Sequence, residues 1–280
     1  MSLFSIDAHH HFWKYSAAEY GWMDDRMAAI RRDFLPPDLQ REMSAAGFDG
    51  AVSVQARQTL EETRWLLEMA AAHSFLKAVV GWVPLIDPKV GDDLDRFRDQ
   101  PKFRAVRHVL QDEADENYIL RPDFNEGIRQ LAPRGLAYDI LIFERHLPQT
   151  IRFVDQHPKQ VFVLDHIAKP KIAENQMSPW RENMLELAKR RNVYCKVSGM
   201  VTEANWQNWT EEQLQPYLET ALEAFGPRRL MFGSDWPVLL VAGAYSGWHH
   251  IVLRAISRLS EDEQARIRRG TAIEAYGLKT

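Results

Sequence analysis

At 280 residues, with 45% apolar side chains and a formal net charge of -4, the chain can bury a full core and lacks the basic excess of a nucleic-acid-binding protein. Its single cysteine, Cys195, excludes an internal disulfide and a four-cysteine zinc knuckle. No leader pattern and no apolar run of membrane-spanning length is visible, so a soluble cytoplasmic protein is expected, acting on a small molecule without a membrane or nucleic-acid partner.

Short runs rich in β-branched residues alternate with longer amphipathic patterns along the chain. The first strand is expected over residues 5–12. Pro36-Pro37 then opens a helix that runs through Met43 and ends at Gly47, before a second strand over 49–56 and a helix over 60–72. Strands over 78–85 and 103–110 follow, then a helix over 124–131 and strands over 135–142 and 160–167. A helix over 180–190 leads to a strand over 192–199. The Thr210-Glu211-Glu212-Gln213 capping box opens a helix over 211–225, which Gly226 ends before the eighth strand over 229–237. A last helical pattern over 260–278, opened by Ser260 with Glu263 three residues on, is expected to close the outside of the fold. The fold class is therefore α/β: one (β/α)8 barrel domain over residues 1–280, an architecture that commonly takes about 250 residues.

An open doubly wound sheet can use as many units, and the placement of polar residues decides between the two. Barrel enzymes gather their chemistry at the C-terminal ends of strands. Here those ends carry His9 and His11, Gln55, Arg107 and His108, Tyr138 and Asp139, His166, Lys196 and Ser198, and Asp235. In Ile6-Asp7-Ala8-His9-His10-His11 a strict period of two puts Asp7, His9 and His11 on one face and leaves His10 structural. Two imidazoles at that spacing can share one divalent cation such as zinc. Asp235, after an apolar strand and before Pro237, suits a metal ligand or the acceptor of a water proton. His166 suits a third ligand or a proton carrier, whereas Asp165 on the opposite face is read as structural. No Gly-x-Ser-x-Gly elbow occurs and Cys195 has no evident base, so covalent catalysis is not expected.

These segments resemble one family. Asp7-Ala8-His9-His10-His11, Gly81-Trp82-Val83-Pro84-Leu85, Phe103-Arg104-Ala105-Val106-Arg107-His108, Asp165-His166 with Lys169-Pro170, Lys196-Val197-Ser198-Gly199 and Gly233-Ser234-Asp235-Trp236-Pro237 are similar to the sugar-lactone hydrolase branch of the amidohydrolase superfamily. The resemblance runs nearly end to end and implies a (β/α)8 barrel that opens a lactone ring. It implies metal ligands at His9, His11, His166 and Asp235, with Asp235 and His166 in the catalytic roles. The bridging lysine or glutamate of strand four and the histidine of strand five found in two-metal relatives have no counterpart here. One divalent ion, zinc by donor type, or no metal at all are the two arrangements this leaves. Without metal, Arg107 and Tyr138 would polarise the carbonyl.

Around that centre, Arg107, His108, Tyr138, Lys169, Trp82 and Trp236 are the expected substrate contacts. Tryptophan faces suit a sugar ring, so a neutral aldonolactone is expected, a deoxy-sugar lactone such as L-fuconolactone being the example the resemblance supplies. A dicarboxylate or muconate-type lactone is the alternative if Arg107, Lys169 and Lys196 face the substrate. A metal-dependent decarboxylase of an unsaturated acid is the other. The chain length leaves an oligomer open.

Overall fold

The computed structural model describes residues 5–279. The start of the chain, read above for a leader, lies outside them up to Phe4. Eight strands pair in chain order in one parallel sheet: β1 (Ile6–His10), β2 (Gly50–Val54), β3 (Leu76–Gly81), β4 (Phe103–Val109), β5 (Ala137–Leu141), β6 (Phe162–Leu164), β7 (Val193–Val197) and β8 (Leu230–Phe232). The sheet closes where β1 meets the chain just past β8. There His11 N donates to Trp236 O at 2.7 Å, and Asp235 N donates to His9 O at 2.8 Å. The fold is a (β/α)8 barrel, and this closure draws residues from the first and last strands into one site.

Alternation divides the strand residues between two apolar layers. Ile6 and Ala8, Val52 and Val54, and Ala78 and Val80 belong to a cluster inside the ring. Val79, Val106, Ile140 and Leu164 belong to the larger cluster under the helices. Those helices are α1 (Pro36–Ala46), α2 (Leu60–Ala72), α3 (Val90–Arg96), α4 (Pro122–Arg129), α5 (Leu147–Asp155), α6 (Trp180–Leu187), α7 (Glu211–Phe225) and α8 (Tyr245–Ile256). In α7 the Thr210 hydroxyl accepts from Gln213 N, and Leu214, Tyr217, Leu218, Ala221 and Phe225 bury one face at helical spacing. α4 lies so close to the exit of β3 that a Cβ on Gly127 would stand 2.0 Å from the Leu85 carbonyl oxygen. Among the described residues no helix is long and apolar enough to cross a membrane.

Two expectations shift. Several strands end earlier than the apolar runs suggest, because their polar last residues leave sheet geometry: β6 stops at Leu164, and His166 to Lys169 all take positive φ. The C-terminal pattern forms α9 (Glu261–Ala265) and α10 (Thr271–Tyr276); Ile267 between them joins the helix-side cluster, but α10 does not cover the outside of the barrel. Ala272, Ala275, Tyr276 and Leu278 pack onto the inner cluster of Ile6, Val52 and Ala78. Small inward side chains leave space inside the strand ring, and the tail fills it as a plug opposite the mouth.

Candidate active site

β1 does not alternate strictly, because its register against β2 shifts between Asp7 and His10. A bulge re-aims the side chains on either side of it. Asp7 therefore leaves the face expected for it: its carboxylate accepts from Ser234 N at 2.8 Å and from the Tyr245 hydroxyl at 3.0 Å. Burial pushes that carboxyl up to about 6. His10 turns outward to Ser53 Oγ at 3.1 Å. His9 and His11 both face the barrel interior, their Nε2 atoms 3.1 Å apart.

Asp235 reaches the same point from the turn after β8, with φ of 58°. Its Oδ1 lies 3.4 Å from His11 Nε2, 3.7 Å from His9 Nε2 and 3.8 Å from His166 Nε2. His166 arrives on the left-handed turn after β6, with Nδ1 2.8 Å from Ser198 Oγ. Only glycine fits beside it, since a Cβ on Gly199 would stand 2.6 Å from His166 Nδ1. Four of the six distances among these donor atoms thus lie between 3.1 and 3.8 Å, and those of His9, His11 and Asp235 all stand within 4.8 Å of one another. The edge of a tetrahedron around zinc with nitrogen and oxygen ligands is roughly 3.3 Å.

The protonation chemistry fits a cation as well. His11 Nδ1 donates to the Val54 carbonyl at 2.9 Å, which turns Nε2 toward the cluster. Burial pushes His9 well below the ordinary histidine value and brings His166 down to about 4, so both rings are neutral at pH 7. Burial pushes Asp235 up, but His166, His11 and Lys169 outweigh it and hold the carboxylate below its usual range. Lone pairs and a carboxylate crowded this closely suit a divalent ion or a shared proton.

Beneath the donors lies a buried ionic layer that reading the sequence missed. Asp165 faces inward, with Oδ2 3.0 Å from Arg107 Nη1 and Oδ1 2.9 Å from Lys196 Nζ. Strand alternation had set it opposite His166. The strand ends at Leu164, however, and both side chains then enter the barrel. Lys196 also bonds Asp139 Oδ2 at 2.6 Å. Two cations and two carboxylates make the layer neutral.

Above the donors opens a cavity of about 790 Å³ lined by His11, Arg107, His166, Lys169 and Asp235 together with Trp13, Trp22, Trp206 and Glu203. Four expected substrate contacts are not on its wall. His108 stacks on Tyr118 and bonds Glu113 Oε1 at 2.7 Å, and Trp82 Nε1 donates to His108 Nδ1 at 3.3 Å, on the helix side of β4. Tyr138 is buried among Phe124, Phe153 and Phe162, and Trp236 packs on Phe12 and Phe34. The cause is period two: Arg107 and Asp139 point in, so their neighbours His108 and Tyr138 point out. Glu203 and Trp206 come from the loop after β7, where no periodic pattern marks them.

Glu62, buried at the start of α2, accepts from Ala56 N at 3.0 Å and Arg57 N at 2.7 Å and so holds the β2 loop on the cavity wall. Burial pushes its carboxyl from 4.5 up to about 7. A raised carboxyl supports the fold below its unfolded value, and that support is lost as pH climbs through the folded value. Glu62→Gln is expected to flatten the decline of stability between about pH 4.5 and 7 by up to roughly 3 kcal/mol. Thermal melts across that range check it, and parallel curves for the two proteins would refute it.

The amidohydrolase family pattern matches residues 6–278. The chain belongs to the amidohydrolase family. This amidohydrolase is 41% identical, over 99% of its length and 97% of the relative's, to an L-fucono-1,5-lactonase of Burkholderia multivorans (strain ATCC 17616 / 249). It is 39% identical to an L-fucono-1,5-lactonase of Burkholderia ambifaria, over 98% of this chain and 96% of that one. Among solved structures, an amidohydrolase from Burkholderia multivorans with bound zinc superposes with a TM-score of 0.96 at 41% identity, covering 99% of this chain and all of that one.

Proposed function

We propose that this amidohydrolase hydrolyses a neutral sugar lactone, with L-fucono-1,5-lactone or a close deoxy-sugar analogue as substrate, to the open-chain acid. One observation carries the reading: the Asp235 carboxylate stands among three imidazoles at the floor of a cavity walled by Trp13, Trp22 and Trp206. The near full-length likeness to L-fucono-1,5-lactonases supports it. Asp235 takes a proton from water, the hydroxide adds to the lactone carbonyl, and the ring C–O bond breaks as Asp235 returns the proton to the leaving oxygen. In this reading Arg107, on the cavity wall, supplies positive charge to the carbonyl. If Ser198 donates to His166 Nδ1, the hydrogen on Nε2 points at the developing oxyanion. Tyr138 has no part in this, because its hydroxyl lies on the far side of β5.

His9, His11, His166 and Asp235 are the residues that would hold a divalent metal, which when bound would polarise the carbonyl and lower the pKa of a water. The alternative of a dicarboxylate substrate lacks cations to meet it. Arg57 pairs with Glu19, Arg107 with Asp165, and Lys169 with Glu203 at 3.6 Å, while Lys196 lies beneath the donor layer. A panel of 1,4- and 1,5-aldonolactones, followed by a pH indicator on protein of measured metal content with and without chelator, tests the reading. Rapid opening of deoxy-sugar 1,5-lactones is the expected result. A panel that stays at the spontaneous rate refutes it.

A further inference from the structure

The ammonium of Lys196 is fully buried, 2.6 Å from Asp139 Oδ2, 2.9 Å from Asp165 Oδ1 and 3.1 Å from His9 Nδ1. Two of its three N–H donors make hydrogen bonds, to Asp139 and His9, and Asp165 Oδ1 is an ion-pair partner by distance. Below it, the Tyr276 hydroxyl donates to the same Asp139 Oδ2 at 2.8 Å, and the Tyr276 ring lies 5.6 Å from the ammonium. Asp139 Oδ1 has no partner among the described residues, so Lys196 and Tyr276 alone hold that carboxylate, through one oxygen. Tyr276 belongs to α10, the plug at the end of the barrel away from the mouth. A continuous chain of hydrogen bonds therefore runs from the C-terminal plug through Asp139 and Lys196 to His9.

We propose that Lys196 is a positioning residue for His9, steadied from the far end of the barrel by Tyr276 through Asp139, so that the C-terminal segment sets the geometry of the site without touching substrate. The argument rests on the two nitrogens of one ring. His9 Nε2 belongs to the donor cluster, and His9 Nδ1 lies between Lys196 Nζ at 3.1 Å and Asp165 Oδ1 at 3.3 Å. When Lys196 donates to Nδ1, the neutral ring carries its hydrogen on Nε2; when Asp165 accepts from Nδ1, Nε2 presents a lone pair. In both cases the ring plane is held by the pair beneath it. Partners of this kind commonly change metal affinity or activity by roughly 10- to 100-fold when removed. Without the Tyr276 hydroxyl the Asp139 carboxylate keeps a single anchor and can rotate about it, and Lys196 loosens with it.

Tyr276→Phe removes one hydroxyl and no charge, which makes it the direct test. The expected result is a kcat lowered roughly tenfold with KM within about twofold. The ¹⁵N resonances of the His9 ring, assigned by their loss in His9→Gln, are expected to move while those of His10, which faces Ser53, stay in place. Unmoved His9 resonances, or a wild-type kcat beside a lowered melting temperature, overturn the proposal. Should Tyr276→Phe fail to fold, the double variant Lys196→Met with Asp139→Asn keeps the layer neutral and must displace the same resonances; if it leaves them in place, the proposal fails. Only the kinetic arm rests on the lactonase reading. A protein that opens no lactone refutes that reading, and the resonances still judge the positioning role.

Discussion

Asp235→Asn is expected to lower kcat by roughly 10²- to 10⁴-fold, the usual range for a positioned acid-base group, while the melting temperature moves little. The amide matches the carboxylate in shape but cannot take the proton of an attacking water. The fold is largely spared because two of the neighbouring rings carry no charge to strand: burial makes His9 and His166 neutral at pH 7. The same experiment separates two roles for the carboxylate. If Asp235 serves only as a metal ligand, three imidazole donors remain, and excess divalent metal restores turnover to the variant. If it moves the proton, saturating metal leaves kcat low. Steady-state rates on the best lactone of the panel, measured with and without added metal, decide between these, and wild-type turnover without additions would remove Asp235 from the mechanism.

The barrel was legible because its signals are local and repeated. Eight apolar runs, the Thr210 N-cap and glycines such as Gly47 and Gly226 state the alternation in short windows. The convergence of His9, His11, His166 and Asp235 was legible for a related reason, since in a closed barrel the ends of distant strands meet. What reading the sequence missed depends on departures from regularity. Asp7 and Asp165 were misplaced because strict alternation was carried through a bulge in β1 and past the true end of β6. His108 and Tyr138 were counted with Arg107 and Asp139, although neighbours on one strand face opposite ways. The tail was set outside because a helical pattern shows which face is apolar but not which cavity receives it; its insertion follows from the small side chains inside the ring.

Asp165→Asn should be the most damaging single change to the fold. Its carboxylate meets Arg107 at 3.0 Å and Lys196 at 2.9 Å, all three being buried. The amide can replace part of the hydrogen bonding, worth about 0.5–1.5 kcal/mol per bond, but not the charge. Two buried cations would then face Asp139 alone, and leaving a buried charge uncompensated costs about 3–5 kcal/mol. For a protein of this size that corresponds to a fall in Tm of about 10 °C. Burial pushes the Asp165 carboxyl up, but Lys196, His9 and Arg107 outweigh it and hold it well below its ordinary value. The stability it supplies is therefore present above its unfolded pKa of about 3.9 and is lost only as pH falls through the folded value. The Tm gap between wild type and variant should accordingly stay constant across neutral pH and narrow only in strong acid. Adding Lys196→Met to Asp165→Asn tests whether charge is the cause: the pair leaves Arg107 with Asp139, a neutral layer again, and should regain most of the lost Tm without regaining activity. A double variant no more stable than Asp165→Asn would instead trace the loss to packing and hydrogen bonds.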